Sequence, residues 1–138
     1  MNEKVGYMLK QISDKLKVTA DASLKDKNLT FSQARVLQYI SSVGGKASQK
    51  SIEEYLDVAH PTVVGIVTRM EKSGFFVTYT DQSDKRNKIV ELTDQARRIS
   101  VELFKDIAAH EDMLLEGLTE DDIENLLRML NIIHDNIH

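Results

Sequence analysis

The chain has 138 residues, of which 41% are hydrophobic and 29% are charged, with a formal net charge of −4. This length suits one folded domain with a real core, and the absence of cysteine excludes disulfides, thiol redox sensing and thiolate metal sites. Because no signal peptide follows Met1 and no apolar run approaches the ~20 residues that span a bilayer, we expect a cytoplasmic protein without a membrane partner.

The first two helices are predicted from apolar spacing and from a capping pattern. Apolar residues at spacings of three and four predict an amphipathic helix that ends at about Lys25. Its regular series is Val5, Leu9, Ile12, Leu16 and Thr19. Thr30 and Gln33 form a capping box, in which each side chain satisfies an exposed backbone N–H, and they open a second helix that Gly44 and Gly45 end.

A short third helix and a longer fourth helix are predicted next. Ser48 caps the third helix. The inner face of this helix is expected to comprise Ile52, Tyr55 and Leu56. Pro61 restricts His60 to an extended conformation and suits the first helical position, so the fourth helix should begin at Pro61 and end at Gly74. Its predicted buried residues are Val63, Ile66, Val67 and Met70.

Two β-prone runs between Phe75 and Thr93 predict a β-hairpin. The polar loop that joins them, Asp81 to Asn87, carries Lys85 and Arg86 at its tip. Cationic side chains on a solvent-exposed tip are suited to bind in the groove of a polyanion. The alternative is an ordinary solvated turn, in which the two aspartates of the loop cancel the local charge.

Two further helices are predicted after the hairpin. Thr93 caps a long helix that Gly117 breaks, and Thr119 begins the last helix, whose first-turn acids favour the positive end of the helix dipole. The long helix has the apolar series Ile99, Leu103, Ile107 and Leu114. The last helix has the apolar series Ile123, Leu126, Leu130, Ile133 and Ile137. This series is either intramolecular core or a dimer interface, and the second is favoured because both ends of the chain contribute such a series.

The third and fourth helices, joined by a short turn, are a helix-turn-helix candidate, and the hairpin that follows suggests a wing. Residues 99–138 carry two lysine or arginine side chains against ten carboxylates, which leaves a net charge of +4 on residues 1–98 and favours a polyanionic partner there. We therefore predict a mainly α fold with a small β-hairpin wing. A winged helix-turn-helix over residues 30–93 is flanked by a helical dimerisation region, 1–29 and 94–138, within one integrated domain.

Specific motifs surround the predicted hairpin and the helix before it. The matching segments are Leu29-Thr30 with Gln33 and Leu37, Ser48-Gln49, Pro61-Thr62-Val63, Met70-Glu71-Lys72-Ser73-Gly74-Phe75, Asp81-x-x-Asp84-Lys85-Arg86, Lys88 and Val90-x-Leu92-Thr93. On these segments, residues 30–100 resemble the MarR family of winged helix-turn-helix transcriptional regulators. The wing pattern is the most specific of them.

The resemblance implies a homodimer that is held by the first, fifth and sixth helices and binds a palindromic operator in double-stranded DNA. The fourth helix would read the major groove, Arg86 would enter the minor groove and Asp84 would hold the wing. Together with the residue patterns, it predicts the following DNA-binding residues: Ser48, Gln49, His60, Pro61, Thr62, Val64, Gly65, Thr68, Arg69, Lys72, Asp84, Lys85, Arg86, Asn87 and Lys88. The predicted dimerisation residues are Val5, Leu9, Ile12, Leu16, Ile123, Leu126, Leu130, Ile133 and Ile137.

Two positions of the fourth helix depart from the family pattern. Val64 and Gly65 stand where relatives often carry polar or basic residues. Val64 can touch a thymine methyl group, whereas Gly65 offers no base contact, so the operator sequence does not follow by analogy.

Several histidines and methionines have competing interpretations. His134 and His138 have the spacing of a helical metal pair but lack a third ligand, so no metal or other cofactor is predicted. His60 is either a phosphate contact or a plain turn residue. Three methionines are interpreted as adaptable core filler, with an effector pocket as the alternative. They are Met8, Met113 and Met129.

No catalytic arrangement is recognisable, because the chain has no cysteine nucleophile, no Gly-rich phosphate loop and no Ser-His-Asp pattern with supporting context. An enzyme is therefore not expected. The sequence predicts a sequence-specific transcriptional regulator, a repressor that responds to a small-molecule effector of unknown identity. The alternative is a winged helix that binds a protein partner without DNA.

Overall fold

The computed structural model describes residues 4–137 as six helices and three short strands. The helices are α1 (Val5–Lys25), α2 (Phe31–Ser42), α3 (Gln49–Leu56), α4 (His60–Lys72), α5 (Asp94–Leu114) and α6 (Glu120–Asp135). The strands are β1 (Lys46–Ser48), β2 (Phe76–Thr80) and β3 (Lys88–Leu92). The predicted fold class, mainly α with a small β-hairpin wing, is confirmed. None of the helices over residues 4–137 is long and apolar enough to span a membrane.

The predicted hairpin is part of a three-stranded antiparallel sheet with the order β1-β3-β2. Strands β2 and β3 pair from Phe76 opposite Leu92 to Thr80 opposite Lys88. Strand β1 was not predicted, because three residues are too few for a period-two pattern and only pairing with β3 defines it. Since Ser48 ends β1 and also caps α3, this strand connects the base of the wing directly to the helix-turn-helix.

The hydrophobic core is centred on the winged helix-turn-helix. It joins α2, α3, α4 and the inner face of the sheet, and Leu24 of α1 and Ala96 and Leu103 of α5 also belong to it. Its most fully buried side chains are Phe76, Leu37, Ile40, Ile52, Met70, Val36, Val63, Val67 and Val90. All four residues predicted as the buried face of α4 are in this core, so the spacing correctly identified which side of the helix faces inward.

One predicted core residue lies outside the core. Tyr55 is exposed, and its ring stacks on that of Tyr39 in α2, with ring centroids 4.4 Å apart. Ile52 and Leu56 occupy the inner face of α3. Tyr55 lies at the edge of that face, where its apolar ring is partly covered and its hydroxyl group remains in water.

The helix starts follow the capping residues with one shift. The capping box of α2 is formed as predicted: the Thr30 hydroxyl accepts from the Gln33 N–H at 3.2 Å, and the Gln33 side chain accepts from the Thr30 N–H at 3.1 Å. Helix α4 begins at His60, one residue before the predicted start, and the extended residue ahead of it is Ala59 (φ −65°, ψ 146°). Pro61 is tolerated at the second position because the first N–H groups of a helix have no intrahelical acceptor.

The chain divides into two compact units, Met1–Phe104 and Lys105–His138. In the first unit, α1 buries only Leu24, and the rest of its apolar series is exposed or half-buried. In the second unit, α6 has no buried residue, and its series is half-buried as far as Ile133. Ile137 lies beyond the end of α6, which is Asp135, so the predicted series is one residue shorter in the helix.

Candidate nucleic-acid interface

Helix α4 presents a polar and cationic surface opposite its buried face. Thr62, Thr68, Arg69 and Lys72 are exposed. Val64 and Gly65 are half-buried between them. The sequence-predicted residues of α4 are thus brought onto one accessible side of a single helix, which is the arrangement that a major groove can accept.

Arg69 lies along the helix towards Gly65. One terminal nitrogen of its guanidinium, Nη2, is 3.1 Å from the position that a Cβ atom would take on Gly65, and no side chain of another residue beyond the two chain neighbours lies within 4 Å of that position among residues 4–137. Residues four apart share a helix face, so the bare glycine leaves the space that this side chain occupies. Gly65 therefore acts on the surface of α4 through Arg69 and not through a side chain of its own.

The entry to α4 is tied to α3 by a side-chain pair. His60 and Pro61 are exposed at the first turn of α4, and the Nδ1 atom of His60 hydrogen-bonds to a carboxylate oxygen of Glu53 in α3. Sequence analysis missed Glu53, because a residue seven positions away across a turn belongs to no helical or strand period. Glu53 was visible in the sequence as an acidic residue of α3, but its partner was not.

The start of α3 places its two predicted residues differently. Ser48 is half-buried and caps the helix by accepting from the Ser51 N–H at 3.1 Å. The side chain of Gln49 is buried, and its Oε1 atom has no hydrogen-bond partner among the described residues. The Gln49 side chain is therefore not accessible for a phosphate contact.

The loop between β2 and β3 is closed by its own hydrogen bonds. The Asp81 N–H donates to the Asn87 carbonyl oxygen at 2.9 Å. The Ser83 hydroxyl and N–H both donate to one carboxylate oxygen of Asp81, at 2.7 Å and 3.0 Å. These bonds from Ser83 hold the pKa of Asp81 below its ordinary value.

Asp84 holds Arg86 at the tip of the loop. The Nε and Nη2 atoms of Arg86 donate to the two oxygens of Asp84 at 3.1 Å and 3.2 Å, and the Arg86 backbone N–H donates to the same carboxylate at 3.1 Å. The side-chain bonds, followed by the backbone bond, lower the pKa of Asp84. The Arg86 side chain is nonetheless 90% exposed, so it is oriented and accessible at once. Lys85 and Lys88 beside it are also exposed.

Two side-chain contacts connect the sheet to the ends of α4 and α5. The Thr78 hydroxyl of β2 donates to the carboxylate of Glu71 in α4. The Thr93 hydroxyl donates to the Gly74 carbonyl oxygen at 2.7 Å and accepts from the Ala96 N–H at 3.2 Å. These contacts set the direction of the hairpin relative to α4, and sequence reasoning predicted only the capping part of Thr93.

Other predicted functional residues give no second site. Over residues 4–137, no group of three or more His, Asp or Glu side chains could hold a metal ion. His134 contacts Asp135 at 3.3 Å, and His138 lies outside the described residues. The three methionines interpreted as core filler are exposed, which corrects that interpretation. They are Met8, Met113 and Met129. A groove of about 410 Å³ lies between α1 and α2 and is lined by Ser13, Leu16, Lys17, Ala20 and Phe31.

Known proteins of similar sequence are transcriptional regulators. A family profile described as "MarR family" matches residues 27–87. An uncharacterized HTH-type transcriptional regulator of Bacillus subtilis, YwoH, is 30% identical over 132 residues, covering 94% of this chain and 95% of that protein. The transcriptional activatory protein BadR of Rhodopseudomonas palustris is 27% identical over 134 residues, covering 95% of this chain and 77% of that protein. These relatives are regulators and not enzymes, in agreement with the sequence-based expectation.

Solved structures share the fold across the chain. MepR of S. aureus in a complex with DNA is 23% identical, with a TM-score of 0.87 over 99% of this chain and 100% of that one. The organohalide-sensing transcriptional regulator RdhR, in its 2,4-dichlorophenol-bound form, is 17% identical, with a TM-score of 0.81 over 99% of this chain and 83% of that one. With the sequence relatives and the geometry of the winged unit, the conclusion is that the chain belongs to the MarR family of HTH-type transcriptional regulators.

Proposed function

We propose that the protein regulates transcription as a sequence-specific, DNA-binding homodimer on a palindromic operator. The observation that carries this proposal is the geometry of the winged unit. The exposed polar side of α4 is linked through Glu71 and Thr78 to a hairpin whose tip presents Lys85 and Arg86 to solvent. A reading helix and a basic wing held in one rigid unit can enter adjacent grooves of the same duplex.

The proposed contacts divide into base readers and phosphate contacts. Thr62, Val64, Thr68 and Arg69 face the major groove, where Arg69 is the residue able to bond a guanine bidentately. Arg86 enters the minor groove, where its weakly hydrated, planar guanidinium loses less on entry than an ammonium group would. The remaining residues position the protein on the backbone. They are Ser48, the Gln49 N–H, His60, Pro61, Lys72, Lys85, Asn87 and Lys88.

Asp84 prepares the wing for binding. Its two oxygens fix the Arg86 guanidinium in the free protein, so less side-chain entropy is lost when the wing enters a groove. Gly65 plays the corresponding part for Arg69 by leaving space on α4. In the proposed complex, neither Asp84 nor Gly65 touches a base.

The proposed homodimer uses the apolar residues of α1 and α6. The apolar side chains in the series of each helix are exposed or half-buried. Their burial against a second copy of the chain would remove this apolar surface from water. Two-fold symmetry would then present two copies of α4 at half-sites about one helical turn apart. The interface residues we propose are Val5, Leu9, Ile12, Leu16, Ile123, Leu126, Leu130, Ile133 and Ile137.

We further infer a repressor that is released by a small, largely apolar effector, in the cytoplasm where the operator DNA lies. The groove between α1 and α2 has a volume within the range of ligand pockets, and RdhR was solved with a chlorinated phenol bound. An effector must favour the non-binding dimer by a few kcal/mol to matter. In a reconstituted transcription assay we expect the protein to reduce transcript from a promoter that contains its operator. An increase would make it an activator, the role named for BadR.

The DNA-binding proposal is tested by duplex affinity and its salt dependence. Selection from a random duplex pool supplies the operator. Affinity for the selected duplex should fall steeply with added salt, because each phosphate contact releases a counterion. Arg86→Ala should weaken binding by about tenfold or more while the dimer persists. Gln82→Ala, an uncharged change in the same loop, is the matched control. No duplex binding at low salt, or no effect of Arg86→Ala, would contradict the proposal.

A further inference from the structure

The Glu53–His60 pair joins the two helices of the helix-turn-helix at the point where α4 begins. Glu53 is in α3, and its side chain is 20% exposed, whereas the His60 side chain is 66% exposed. One carboxylate oxygen of Glu53 hydrogen-bonds to Nδ1 of His60. The pair therefore has a covered carboxylate on the protein side and a solvent-accessible imidazole on the side that faces the proposed DNA.

The chemistry of this pair assigns the proton on Nδ1. An ionised carboxylate only accepts hydrogen bonds, so Nδ1 of His60 must be the donor. The other ring nitrogen, Nε2, does not bond to Glu53 and remains available to a ligand. In the neutral ring Nε2 is an acceptor and offers nothing to a phosphate oxygen, which is also an acceptor. When Nε2 is protonated, the imidazolium can donate a charge-assisted hydrogen bond to that oxygen while Glu53 retains the Nδ1–H.

Resting on the proposed DNA-binding function, we propose that Glu53 is a positioning residue that holds His60 for a phosphate contact, and that DNA binding takes up one proton at Nε2 of His60. Glu53 orients the ring and balances the charge of the imidazolium, and the phosphate accepts the Nε2–H. The operator complex is therefore stronger at acid pH than at alkaline pH. This proton linkage belongs to the entry of α4 and is independent of the wing.

Other charged residues occur on α3, on α4 and in the turn between them. On α3 they are Lys50, Glu53 and Glu54, and Asp57 lies in the turn. Helix α4 has no acidic residue in its first turn and carries its cations, Arg69 and Lys72, in its last turn. Arg35 is the charged residue of α2, and β2 has none. Of these groups, Glu53 is the one that bonds the His60 ring within residues 4–137.

The test measures affinity for the selected duplex at constant ionic strength, from about pH 5 to about pH 8, the range in which histidines titrate. For the unmodified protein we expect affinity to fall by about tenfold as the pH rises, the value of one hydrogen bond to a charged group. His60→Gln should bind at the alkaline level of the unmodified protein at every pH. His60→Lys, which keeps a charge throughout, should bind with little pH dependence and more tightly than His60→Gln.

Matched variants separate positioning from general electrostatics. Glu53→Gln should lose the gain in affinity between pH 8 and pH 6, so its profile should be flat, apart from the pH-independent gain that the loss of a carboxylate charge brings. Glu54→Gln removes the same charge from the next residue of α3, so it should raise affinity equally at every pH and preserve the slope. His110→Gln, in the second unit, should also preserve the slope. Thermal unfolding at both pH values checks that each variant is folded.

The outcomes are distinguishable from those of the DNA-binding test. Duplex binding that is independent of pH, or a His60→Gln profile equal to that of the unmodified protein, would overturn the proton linkage alone. A Glu53→Gln profile with the full slope would show that Glu53 only fastens α3 to α4 and would overturn its positioning role. Absence of duplex binding at every pH would instead contradict the proposed function.

Discussion

At the scale of single residues, Gly65 illustrates how a residue without a side chain can leave room for a neighbouring side chain. A glycine inside a helix costs about 1 kcal/mol relative to alanine. The side chain near its missing Cβ is that of Arg69, with Nη2 at 3.1 Å and Cζ at 3.9 Å. Gly65 thus makes the helix less stable than alanine would, and its evident effect is the space that it leaves for the Arg69 side chain.

Gly65→Ala should therefore separate stability from specificity. We expect the free energy of unfolding to rise by about 1 kcal/mol in urea denaturation. We also expect a changed base preference in duplex selection, because the new methyl group displaces the Arg69 guanidinium. In an Arg69→Ala background the same substitution should leave the selected sequence unchanged. An identical operator for Gly65→Ala and the unmodified protein would refute this role.

Asp84 gives a second residue-scale prediction, on pH. Its pKa is lowered in the folded loop, first by the side-chain hydrogen bonds of Arg86 and then by the backbone bond. A lowered pKa means that the contribution is complete above the ordinary aspartate value, about 3.9. That contribution is lost as the pH falls through the lower, folded value. The Arg86–Asp84 pair should accordingly be intact at pH 5 and open in stronger acid.

The measurement is an NMR titration of the Asp84 carboxyl carbon together with the Arg86 Nε–H signal. Both should change at the same pH, below the ordinary aspartate range. Asp84→Asn should shift the Nε–H signal already at pH 5. Titration of Asp84 at its ordinary value would mean that the pair is not maintained in solution.

At the scale of secondary-structure elements, Thr93 connects three of them. Its hydroxyl bonds the carbonyl of Gly74 after α4 and the N–H of Ala96 in α5, and its backbone N–H donates to Phe75 beside β2 at 3.0 Å. The side chain is half-buried, so water replaces a lost bond only in part. Thr93 is thus both a helix cap and a connection between the end of α4 and the hairpin.

Thr93→Val keeps the shape and removes the three hydrogen bonds of the hydroxyl group, to Gly74, Phe75 and Ala96. We expect the protein to lose about 1–3 kcal/mol of unfolding free energy, the cost of unsatisfied, partly buried polar groups. Urea denaturation provides the measurement. Thr80→Val, on the exposed end of β2, is the control and should change stability by less than about 0.5 kcal/mol. Equal losses of unfolding free energy for the two substitutions would show that the hydrogen bonds of the Thr93 hydroxyl do not stabilise the fold.

At the scale of the whole molecule, the apolar series of α6 bears on assembly. No α6 residue is buried in the second unit, although a regular series runs from Ile123 to Ile133. We expect Leu130→Asp to shift the protein from dimer to monomer and to weaken operator binding by about tenfold or more, because a buried, unpaired charge is costly. Light scattering coupled to gel filtration measures the mass. Asn131→Asp adds the same charge away from the series and should remain dimeric.

A monomer for the unmodified protein at micromolar concentration would contradict the proposed dimer. A dimeric Leu130→Asp variant would instead move the interface away from α6. The two results are independent of the wing, so they leave the Arg86 and His60 tests intact.

The local sequence was sufficient for most elements, because caps and apolar periods act over a few residues. Thr30 with Gln33, Ser48, Thr93 and Thr119 each began a helix as predicted. Strand β1 could not be predicted, since its three residues become a strand only by pairing with β3. Tyr55 was misassigned for a similar reason, because helical spacing does not indicate how much space a core has left.

The parts of the candidate site that lie in contiguous sequence motifs could be predicted. Lys85 and Arg86 were visible as a basic loop between two strands, and the exposed side of α4 followed from its buried side. The link from Glu53 to His60 and the placement of Arg69 over Gly65 were not predicted. Such contacts depend on side-chain directions that no motif in the sequence specifies.

The sequence by itself determined the helices, the hairpin and the family, because hydrophobic period, capping and turn chemistry are local and leave a readable order along the chain. Only the tertiary structure decided which side chains are buried and which of them pair. It buried Gln49, exposed Tyr55, paired Asp84 with Arg86, and brought Glu53 against the first residue of α4. The physical reason is that burial and side-chain pairing arise between elements, and their energies depend on distances that exist only once those elements have packed.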